Sequence, residues 1–323
     1  MAKYRWVLTG CPIENCVTDL HSIFEFLNPL VLGSYGNFKE RYLVTELRNF
    51  NGRMFDQVTG HKNLSELKEV IKPYYLRRTK GEVLDELPEV VSERIWVDLS
   101  KSERKSYSQL EDIVVEKKRR DESFMGEIQL LRVLSNGEVN LKWSSTTNPQ
   151  AQKIAFDAGW GSAKNDECEK LLEQIFQVND KVVVFSDFVN PLVDLKKRFA
   201  KKGWKYALLT GDSKKELELD KFEHDRECKV LLSQTKTGGY GLNLQFCSNI
   251  VFLNLPWNPA VRDQCIGRCH RIGQNQTVFI YELVASETIE EKVLDILDSK
   301  EAVSQAVITK NFKKFVGGDK NGR

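Results

Sequence analysis

The second half of the chain alternates between short apolar runs and segments with helical spacing, and this alternation most limits how the chain can fold. The runs are rich in Val, Ile and Leu and are separated by short turns. The predicted strands cover residues 181–186, 206–210, 229–233, 249–253 and 277–283. The predicted helices cover residues 167–177, 191–202, 214–223, 259–269 and 286–299. Regular strand–helix alternation predicts an α/β fold, a parallel sheet covered by helices on both faces.

The first half of the chain has a different pattern. Arg5–Thr9 is predicted as one buried strand that ends at a Gly-Cys-Pro turn. Residues 18–135 are predicted to be mostly helical, with breaks where Asn28 and Lys72 precede prolines. Residues 135–165 are rich in Ser, Thr, Asn and Gly and lose periodicity, which predicts a loop or linker.

Charge and cysteine content restrict the class of protein. The formal net charge is only +2 with 29% charged residues, so contact with a polyanion must come from local patches. No apolar run approaches the roughly 20 residues of a membrane span, and the N-terminus does not read as a signal peptide. Seven cysteines without framework spacing indicate reduced thiols and a cytoplasmic or nuclear location. Cys265 and Cys269 lack a second ligand pair, so we predict packing thiols and no bound metal.

A helical segment near residue 265 carries two arginines at helical spacing. Gln264, Arg268 and Arg271 are separated by four and three residues, so they are predicted to project from one face. Planar guanidinium groups match phosphate oxygens in a bidentate manner. In phosphoryl transfer such an arginine contributes on the order of 10³–10⁵ in rate. A solvated basic face, bonded to nearby acids, fits the spacing equally well.

Glycine and hydroxyl residues follow the predicted strands at their carboxyl ends, where parallel sheets bind ligands. Thr235–Leu244 contains three glycines among four residues, which would let a backbone approach phosphates. Ser186 and Gly211 lie in similar positions and could hold a nucleic-acid phosphate without reading sequence. Each of these segments, taken singly, is also explained as ordinary turn chemistry.

Together and in this order, these segments resemble the helicase-like ATPase core of the Swi/Snf family. The family comprises ATP-dependent double-stranded DNA translocases, including chromatin remodelers. Residues 8–15 resemble motif III, and residues 76–80 with 86–88 resemble the block between the lobes. Residues 182–186 resemble motif IV and residues 235–244 resemble motif V. Residues 256–259 resemble the motif that follows motif V, and residues 264–274 resemble motif VI. Cys11, Cys265 and Asn254 stand where the family usually has Thr, Ala and Asp.

The resemblance implies a domain organisation. It predicts a RecA-like parallel sheet flanked by helices, the helicase C-terminal lobe, over residues 166–300. Residues 1–27 would be a remnant of the first RecA-like lobe, and residues 28–135 helical protrusions with the interlobe linker. Residues 136–165 would form a loop or insertion, and residues 301–323 a C-terminal tail.

The resemblance also implies roles for single residues. Arg268 and Arg271 would be the catalytic arginines, with Arg271 as the arginine finger. Thr9 would couple the nucleotide state to lobe movement. The residues implied in ATP binding are Gly239, Gly241 and Gln264. The residues implied along the DNA backbone are Ser186, Gly211, Thr235, Lys236 and Gly238.

Two motifs that the family needs for ATP are absent from the sequence. There is no Gly-Lys dipeptide for a phosphate-binding loop and no strand ending in Asp-Glu-x-His. We therefore expect the C-terminal half of a DNA-dependent ATPase that is inactive alone. The main ligands of ATP and Mg²⁺ would come from a first lobe, in trans or in a full-length protein. Alternatives are a non-catalytic DNA-binding or regulatory module and an RNA helicase lobe.

Overall fold

The fold was analysed on a computed structural model. It describes residues 4–10, 12–13, 16–50, 53–76, 87–120, 125–137, 140–143, 154–157, 162–178, 180–238, 241–295 and 297–298. The chain divides into two compact units. The first unit is Met1–Val83 with Asn258–Ala260 and Asp295–Arg323, and the second unit is Leu84–Trp257 with Val261–Leu294. Each unit is described by itself.

The described part of the first unit contains four α-helices, a short 3-10 helix at Lys72–Tyr74 and a two-stranded antiparallel sheet. Its elements are α1 (Thr18–Leu27), α2 (Pro29–Leu32), α3 (Tyr35–Tyr42), β1 (Leu43–Phe50), β2 (Arg53–His61) and α4 (Leu64–Ile71). Apolar residues at helical spacing in α1, among them Leu20 and Phe24, pack with Phe38 of α3 and Leu67 of α4 in a common core. The hairpin corrects the prediction of a mostly helical region. An Asn-Gly pair at residues 51 and 52, a strong two-residue hairpin signal, separates β1 from β2.

The prediction of a buried strand at Arg5–Thr9 is wrong. Residues 4–9 have no regular secondary structure and are exposed. Trp6 and Leu8 are 82% and 96% exposed. The physical reason is that a strand needs a neighbour for its backbone hydrogen bonds. Among the described residues of the first unit, β1 and β2 pair with each other and neither pairs with this segment.

The second unit is built on a six-stranded sheet in which every neighbouring pair is parallel. The strand order is β3-β10-β9-β6-β8-β7. The strands are β3 (Val90–Val97), β6 (Val182–Ser186), β7 (Lys205–Leu209), β8 (Cys228–Gln234), β9 (Asn249–Phe252) and β10 (Val278–Ala285). Parallel neighbours require crossover connections, which the helices supply. The sheet confirms the predicted α/β fold, and all five predicted strands are present with bounds shifted by a few residues.

Helices and one ribbon complete the second unit. The helices are α5 (Lys101–Arg119), α6 (Met125–Leu134), α7 (Ala163–Gln177), α8 (Val189–Lys202), α9 (Lys215–His224), α10 (Thr235–Gly238) and α11 (Pro259–Cys269). Residues 289–295 are also helical. Two short antiparallel strands, β4 (Asn140–Trp143) and β5 (Ile154–Asp157), lie in the segment that was predicted to be a loop. The central strand β6 is fully buried, as expected for a parallel strand covered on both faces.

Strand β3 was not predicted, and its composition explains why. Val90–Val97 carries Glu93 and Arg94 at its centre and is exposed over most of its length. It lies at the edge of the sheet, where one side of the strand has no neighbour and charged residues are tolerated. The alternation of apolar and polar residues is therefore weak, although the strand pairs with β10 over eight residues.

Candidate functional site

The carboxyl ends of three central strands meet at one edge of the sheet in the second unit. Asp187 follows β6, Thr235 follows β8 and Asn254 follows β9 closely. The Thr235 hydroxyl donates a hydrogen bond to Asp187 Oδ1. The Asp187 amide donates to Asn254 Oδ1 at 2.8 Å. Hydrogen bonds therefore join the turns that follow the three strands, and the predicted site residues Ser186, Thr235, Lys236 and Gly238 lie at these strand ends.

Ser186 lies inside this edge and not on its surface. Its side chain is fully buried, and Asn254 Nδ2 donates to its Oγ at 2.8 Å. The Ser186 hydroxyl in turn donates to the carbonyl of Phe188 at 2.8 Å. The Ser186 hydroxyl is therefore engaged within the protein, and a place of Ser186 along a DNA backbone stays a prediction. Ser186 stabilises the turn after β6, and Asn254, at the position where the family usually has Asp, is buried with it.

The turn after β8 carries the predicted residues Thr235, Lys236 and Gly238 on the one-turn helix α10. Thr235 is fully buried and its hydroxyl is used by Asp187, so this side chain also does not face solvent. Lys236 is exposed. Gly239 lies outside the described residues. The turn therefore exposes Lys236 to solvent, whereas Thr235 holds the turn in place.

Two predicted glycines lie on exposed turns of the same unit. Gly241 has a φ of 65°, a left-handed conformation that favours glycine. A methyl group at this position would lie 3.5 Å from Lys215 Nζ. Gly211 follows β7, and a methyl group there would meet no heavy atom of the described chain within 4 Å. Both backbones are thus open to a ligand approaching the edge of the sheet.

Helix α11 carries the arginine segment and is anchored by a buried carboxylate. Arg262 Nε donates to Glu282 Oε1 of β10 at 2.6 Å, and Arg94 Nε of β3 donates to Glu282 Oε2 at 3.4 Å. The Glu282 side chain is only 3% exposed. Burial raises the pKa of Cys265, on the same helix, to about 12, so this thiol stays protonated. Arg262 was not predicted from the sequence, since its partner is twenty residues away on another element.

The predicted alignment of Gln264, Arg268 and Arg271 on one helix face holds only for the first two. Helix α11 ends at Cys269, so Arg271 lies in the following turn. The Leu244 amide donates to the Arg268 carbonyl at 2.9 Å. Arg271 Nη1 donates to Asn243 Oδ1. The structure therefore brings both arginines to the end of the glycine-rich segment.

Other residues of the same motif have structural roles. Gln274 is buried, and its Nε2 donates to the carbonyl of Cys247 at 3.0 Å. His270 Nε2 lies 3.0 Å from the carbonyl of Pro88. Gln264 Oε1 is buried and meets no hydrogen-bond donor within the described chain. Thr9, the predicted coupling residue, is exposed in the first unit.

A buried cation that the sequence did not reveal lies behind the turn of Asp187. Arg132 of α6 is 4% exposed, and its Nη2 donates to Asp187 Oδ2 at 2.8 Å and to the Leu255 carbonyl at 2.9 Å. Its guanidinium lies 5.3 Å from the Phe188 ring centre and 5.0 Å from that of Trp257. The apolar surroundings of Arg132 in the sequence gave no indication of this contact.

A buried ion pair lies next to this cluster. Lys164 Nζ donates to Glu290 Oε2 at 2.6 Å and to Asn136 Oδ1 at 3.3 Å. Asn254 Nδ2 also donates to Asn136 Oδ1, at 3.2 Å. Burial lowers the pKa of Lys164, although the Glu290 carboxylate favours the charged form. No group of three or more His, Cys, Asp or Glu side chains suited to a metal ion occurs within the described ranges.

Comparison with known proteins gives the sequence and the fold a context. The family model described as the SNF2-related domain matches residues 1–148, and the helicase conserved C-terminal domain matches residues 163–273. The chain is 29% identical over 307 residues to the "Uncharacterized ATP-dependent helicase" of Mycoplasma pneumoniae, covering 93% of this chain and 28% of that protein. It is 29% identical over 320 residues to the "Putative ATP-dependent helicase/translocase YwqA" of Bacillus subtilis, covering 93% and 32%. The chain thus spans about a third of the length of these curated relatives.

A solved structure supports the same assignment. The Sulfolobus solfataricus SWI2/SNF2 ATPase core, solved in complex with dsDNA, aligns with a TM-score of 0.54 and 25% identity. The alignment covers 94% of this chain and 62% of that one. The sheet and the motifs at its carboxyl edge define a helicase-like protein with a RecA-like C-terminal lobe. The chain belongs to the Swi/Snf family of superfamily two helicase-like ATPases. None of its described helices is long and apolar enough to cross a lipid bilayer.

Proposed function

We propose that this chain supplies the second lobe of a Swi/Snf-type motor that hydrolyses ATP and moves along double-stranded DNA. The observation that carries the proposal is the convergence of Arg268 and Arg271 on the turn Gly241–Leu244. The Arg271 guanidinium lies beside an exposed glycine turn to which the backbone of Arg268 is also bonded, and a guanidinium in such a place suits a triphosphate. The names of the relatives, which describe ATP-dependent helicases and a translocase, support this reading.

In this proposal the nucleotide is a substrate held between two lobes. Arg271 is the arginine finger, because it lies in the turn beyond α11 and contacts only the Asn243 amide oxygen among its described hydrogen bonds. That neutral acceptor is readily exchanged for a charged phosphate oxygen. Gln264 Oε1 is a further polar contact for the nucleotide. A first RecA-like lobe, in trans or in a longer polypeptide, supplies the main ligands of ATP and Mg²⁺.

The proposed DNA contacts are fewer than the sequence predicted. Lys236, the open backbone at Gly211 and the adjoining Gly238 face the phosphates, whereas Ser186 and Thr235 hold the turns behind them. Contacts of this kind position a duplex without reading its sequence. The Sulfolobus relative, solved with dsDNA, favours a duplex over RNA as the partner.

Reconstitution tests this function. The full chain is mixed with a first lobe from a Swi/Snf-family protein that carries a Gly-Lys-Thr loop, and ATP hydrolysis is followed with and without duplex DNA. We expect no hydrolysis from the chain alone and DNA-stimulated hydrolysis from the mixture. Salt-sensitive duplex binding by the chain alone, with no gain of hydrolysis from any first lobe, would support a non-catalytic DNA-binding module instead. Preference for RNA would indicate an RNA helicase lobe.

A further inference from the structure

The turn that presents Lys236 is too short to hold its own shape. Helix α10 has only four residues, Thr235–Gly238, and a single helical turn is unstable by itself. Its conformation must therefore be set by contacts with the rest of the second unit. Two of these contacts end on one residue, since the Thr235 hydroxyl donates to Asp187 Oδ1 and Gln234 Nε2 donates to the Asp187 carbonyl at 3.2 Å.

The other polar groups of Asp187 fix its own position. Its amide donates to Asn254 Oδ1 at 2.8 Å, and its Oδ2 accepts from Arg132 Nη2 at 2.8 Å. Asp187 thus connects the end of β9 and helix α6 with the start of α10. The two carboxylate oxygens serve different partners, so each partner restricts the direction that the other oxygen can take.

Arg132 is the fixed end of this chain of contacts. Its side chain is only 5% exposed, and the rings of Phe188 and Trp257 lie close to its guanidinium. A buried charge that loses its partner is strongly destabilising, so the Arg132–Asp187 pair stays formed. Arg132 lies outside residues 163–273, which match the helicase C-terminal domain. A helix that precedes the domain therefore orients one of the turns of the domain.

We propose that Asp187, held by Arg132, is a positioning residue that sets the orientation of the DNA-facing turn Thr235–Gly238. The proposal rests on the proposed function for its DNA partner. Asp187 itself does not contact the duplex, because its carboxylate is engaged by Arg132 and Thr235. Without a double acceptor at position 187, Thr235 loses its partner and Lys236 no longer points in a fixed direction.

The test uses Asp187→Asn in the full chain. The side-chain amide that replaces the carboxylate has one oxygen, so it can accept a hydrogen bond from only one of Arg132 and Thr235. Its NH₂ group then faces the other donor, with which it cannot form a hydrogen bond. The matched control is Asp194→Asn, since Asp194 is also buried and accepts from Arg198 Nε at 2.7 Å, on α8. Thermal unfolding measures the stability that each variant loses. Hydrogen exchange measures the mobility of amides 235–238 without any DNA, and anisotropy with a labelled duplex measures binding.

We expect Asp187→Asn to speed exchange at amides 235–238, to weaken duplex binding about tenfold, and to lower the salt slope by about one. Asp194→Asn should lower the melting temperature to a similar extent but leave exchange at these amides and duplex affinity unchanged. Thr235→Val should reduce duplex affinity and exchange protection as much as Asp187→Asn does. The double variant should show no further reduction in either.

Unchanged exchange at amides 235–238 in Asp187→Asn would overturn the positioning role, whatever the chain binds. Equal effects of Asp187→Asn and Asp194→Asn on these amides, or additive effects of Asp187→Asn and Thr235→Val, would also overturn it. Failure of the unmodified chain to bind duplex would instead contradict the proposed function. The two failures are distinct because the exchange experiment contains no DNA.

Discussion

Single buried charges in the second unit lie where separate segments of the chain meet. Lys164 at the start of α7 pairs with Glu290, and Glu290 Oε2 also accepts from the amide of Ala285 at 2.8 Å. Asn136 adds hydrogen bonds to both members of the pair. A charge so placed stabilises the fold only when its partners are complete, because the desolvation of an unpaired charge costs more than a hydrogen bond returns.

The pair Lys164–Glu290 leads to a prediction on stability. Lys164→Met leaves Glu290 buried without its cation and should lower the free energy of unfolding by about 3–5 kcal/mol. Adding Glu290→Gln removes the unpaired charge and keeps one acceptor oxygen, for either Ala285 or Asn136, so the double variant should lose less than the single one. Urea unfolding measures both. A loss of less than about 1 kcal/mol in Lys164→Met, within the range of exposed ion pairs, would contradict this role.

Cys16 leads to a prediction on pH dependence. Its Sγ lies 3.4 Å from His61 Nε2 in the first unit. Burial raises the pKa of Cys16, but hydrogen bonds with His61 and Thr18 and the charge of His61 together lower it to about 7. Because the thiolate is the nucleophile, alkylation of Cys16 should rise as the pH passes about 7 and level off above it. Site-resolved mass spectrometry after brief iodoacetamide treatment measures this rate.

Two comparisons check the assignment to Cys16. His61→Ala removes the hydrogen bond and the charge of His61 but leaves the Thr18 hydrogen bonds, so the pKa of Cys16 should rise and the increase in alkylation should move to higher pH. Burial raises the pKa of Cys168 and of Cys265 to about 12, so both should stay unmodified in the folded chain. A Cys16 rate that follows the same pH profile with and without His61 would show that the imidazole has no such effect.

At the residue scale, the sequence singles out the groups that we propose to face ligands but not the groups that support them. Arg268, Arg271 and Lys236 stand in short contiguous motifs, which makes them recognisable. Arg132 was missed because it lies between apolar residues of α6, where the sequence shows no acidic partner. The internal role of the Ser186 hydroxyl was also missed, because a hydroxyl at a strand end looks the same in the sequence whether it binds a ligand or an internal amide.

At the scale of elements, helix α11 is held at both ends. Arg262 binds the buried Glu282 of β10 near its start, and the Arg268 carbonyl accepts from Leu244 near its end. Cys265 and Cys269, which lie on the same helix, are fully buried. The orientation of the proposed catalytic arginines therefore depends on a strand that carries none of them.

The anchor of α11 can be tested by hydrogen exchange. Arg262→Met leaves Glu282 buried with only the longer contact to Arg94, and should lower the free energy of unfolding by about 3 kcal/mol. Exchange should speed up most in α11. Arg94→Met is the control and should have a smaller effect, because Arg94 is 44% exposed and its contact is 3.4 Å. Equal protection of α11 in both variants would mean that Arg262 does not anchor the helix.

The elements that the sequence predicted well and poorly differ in their surroundings. Strand β6 is buried on both faces, so its continuous apolar run was sufficient to predict it from the sequence. Strand β3 lies at the edge and most of its residues are exposed, so a continuous apolar run could not reveal it. In the first unit the hairpin β1–β2 was missed, although the Asn-Gly pair between its strands is a local signal that does not depend on burial.

At the scale of the whole molecule, the family and the order of its motifs were readable from the sequence, and the sheet followed from the strand–helix alternation. The six-stranded order was not readable, because it depends on crossovers between strands far apart in the chain. In the proposed function, Arg268 and Arg271 at the carboxyl edge of this sheet act on ATP and the turn that carries Lys236 faces DNA.

The rate of the reconstituted motor in Arg271→Ala tests this account most directly. The variant keeps the fold, since Arg271 contacts only Asn243 in its described hydrogen bonds, while the finger is lost. We predict that duplex-stimulated kcat falls about 10³-fold or more, with duplex binding unchanged. The matched control, Arg226→Ala, removes an exposed arginine from the turn after α9 and should leave kcat unaltered. Equal DNA-stimulated rates in Arg271→Ala and Arg226→Ala would contradict the assignment of the arginine finger.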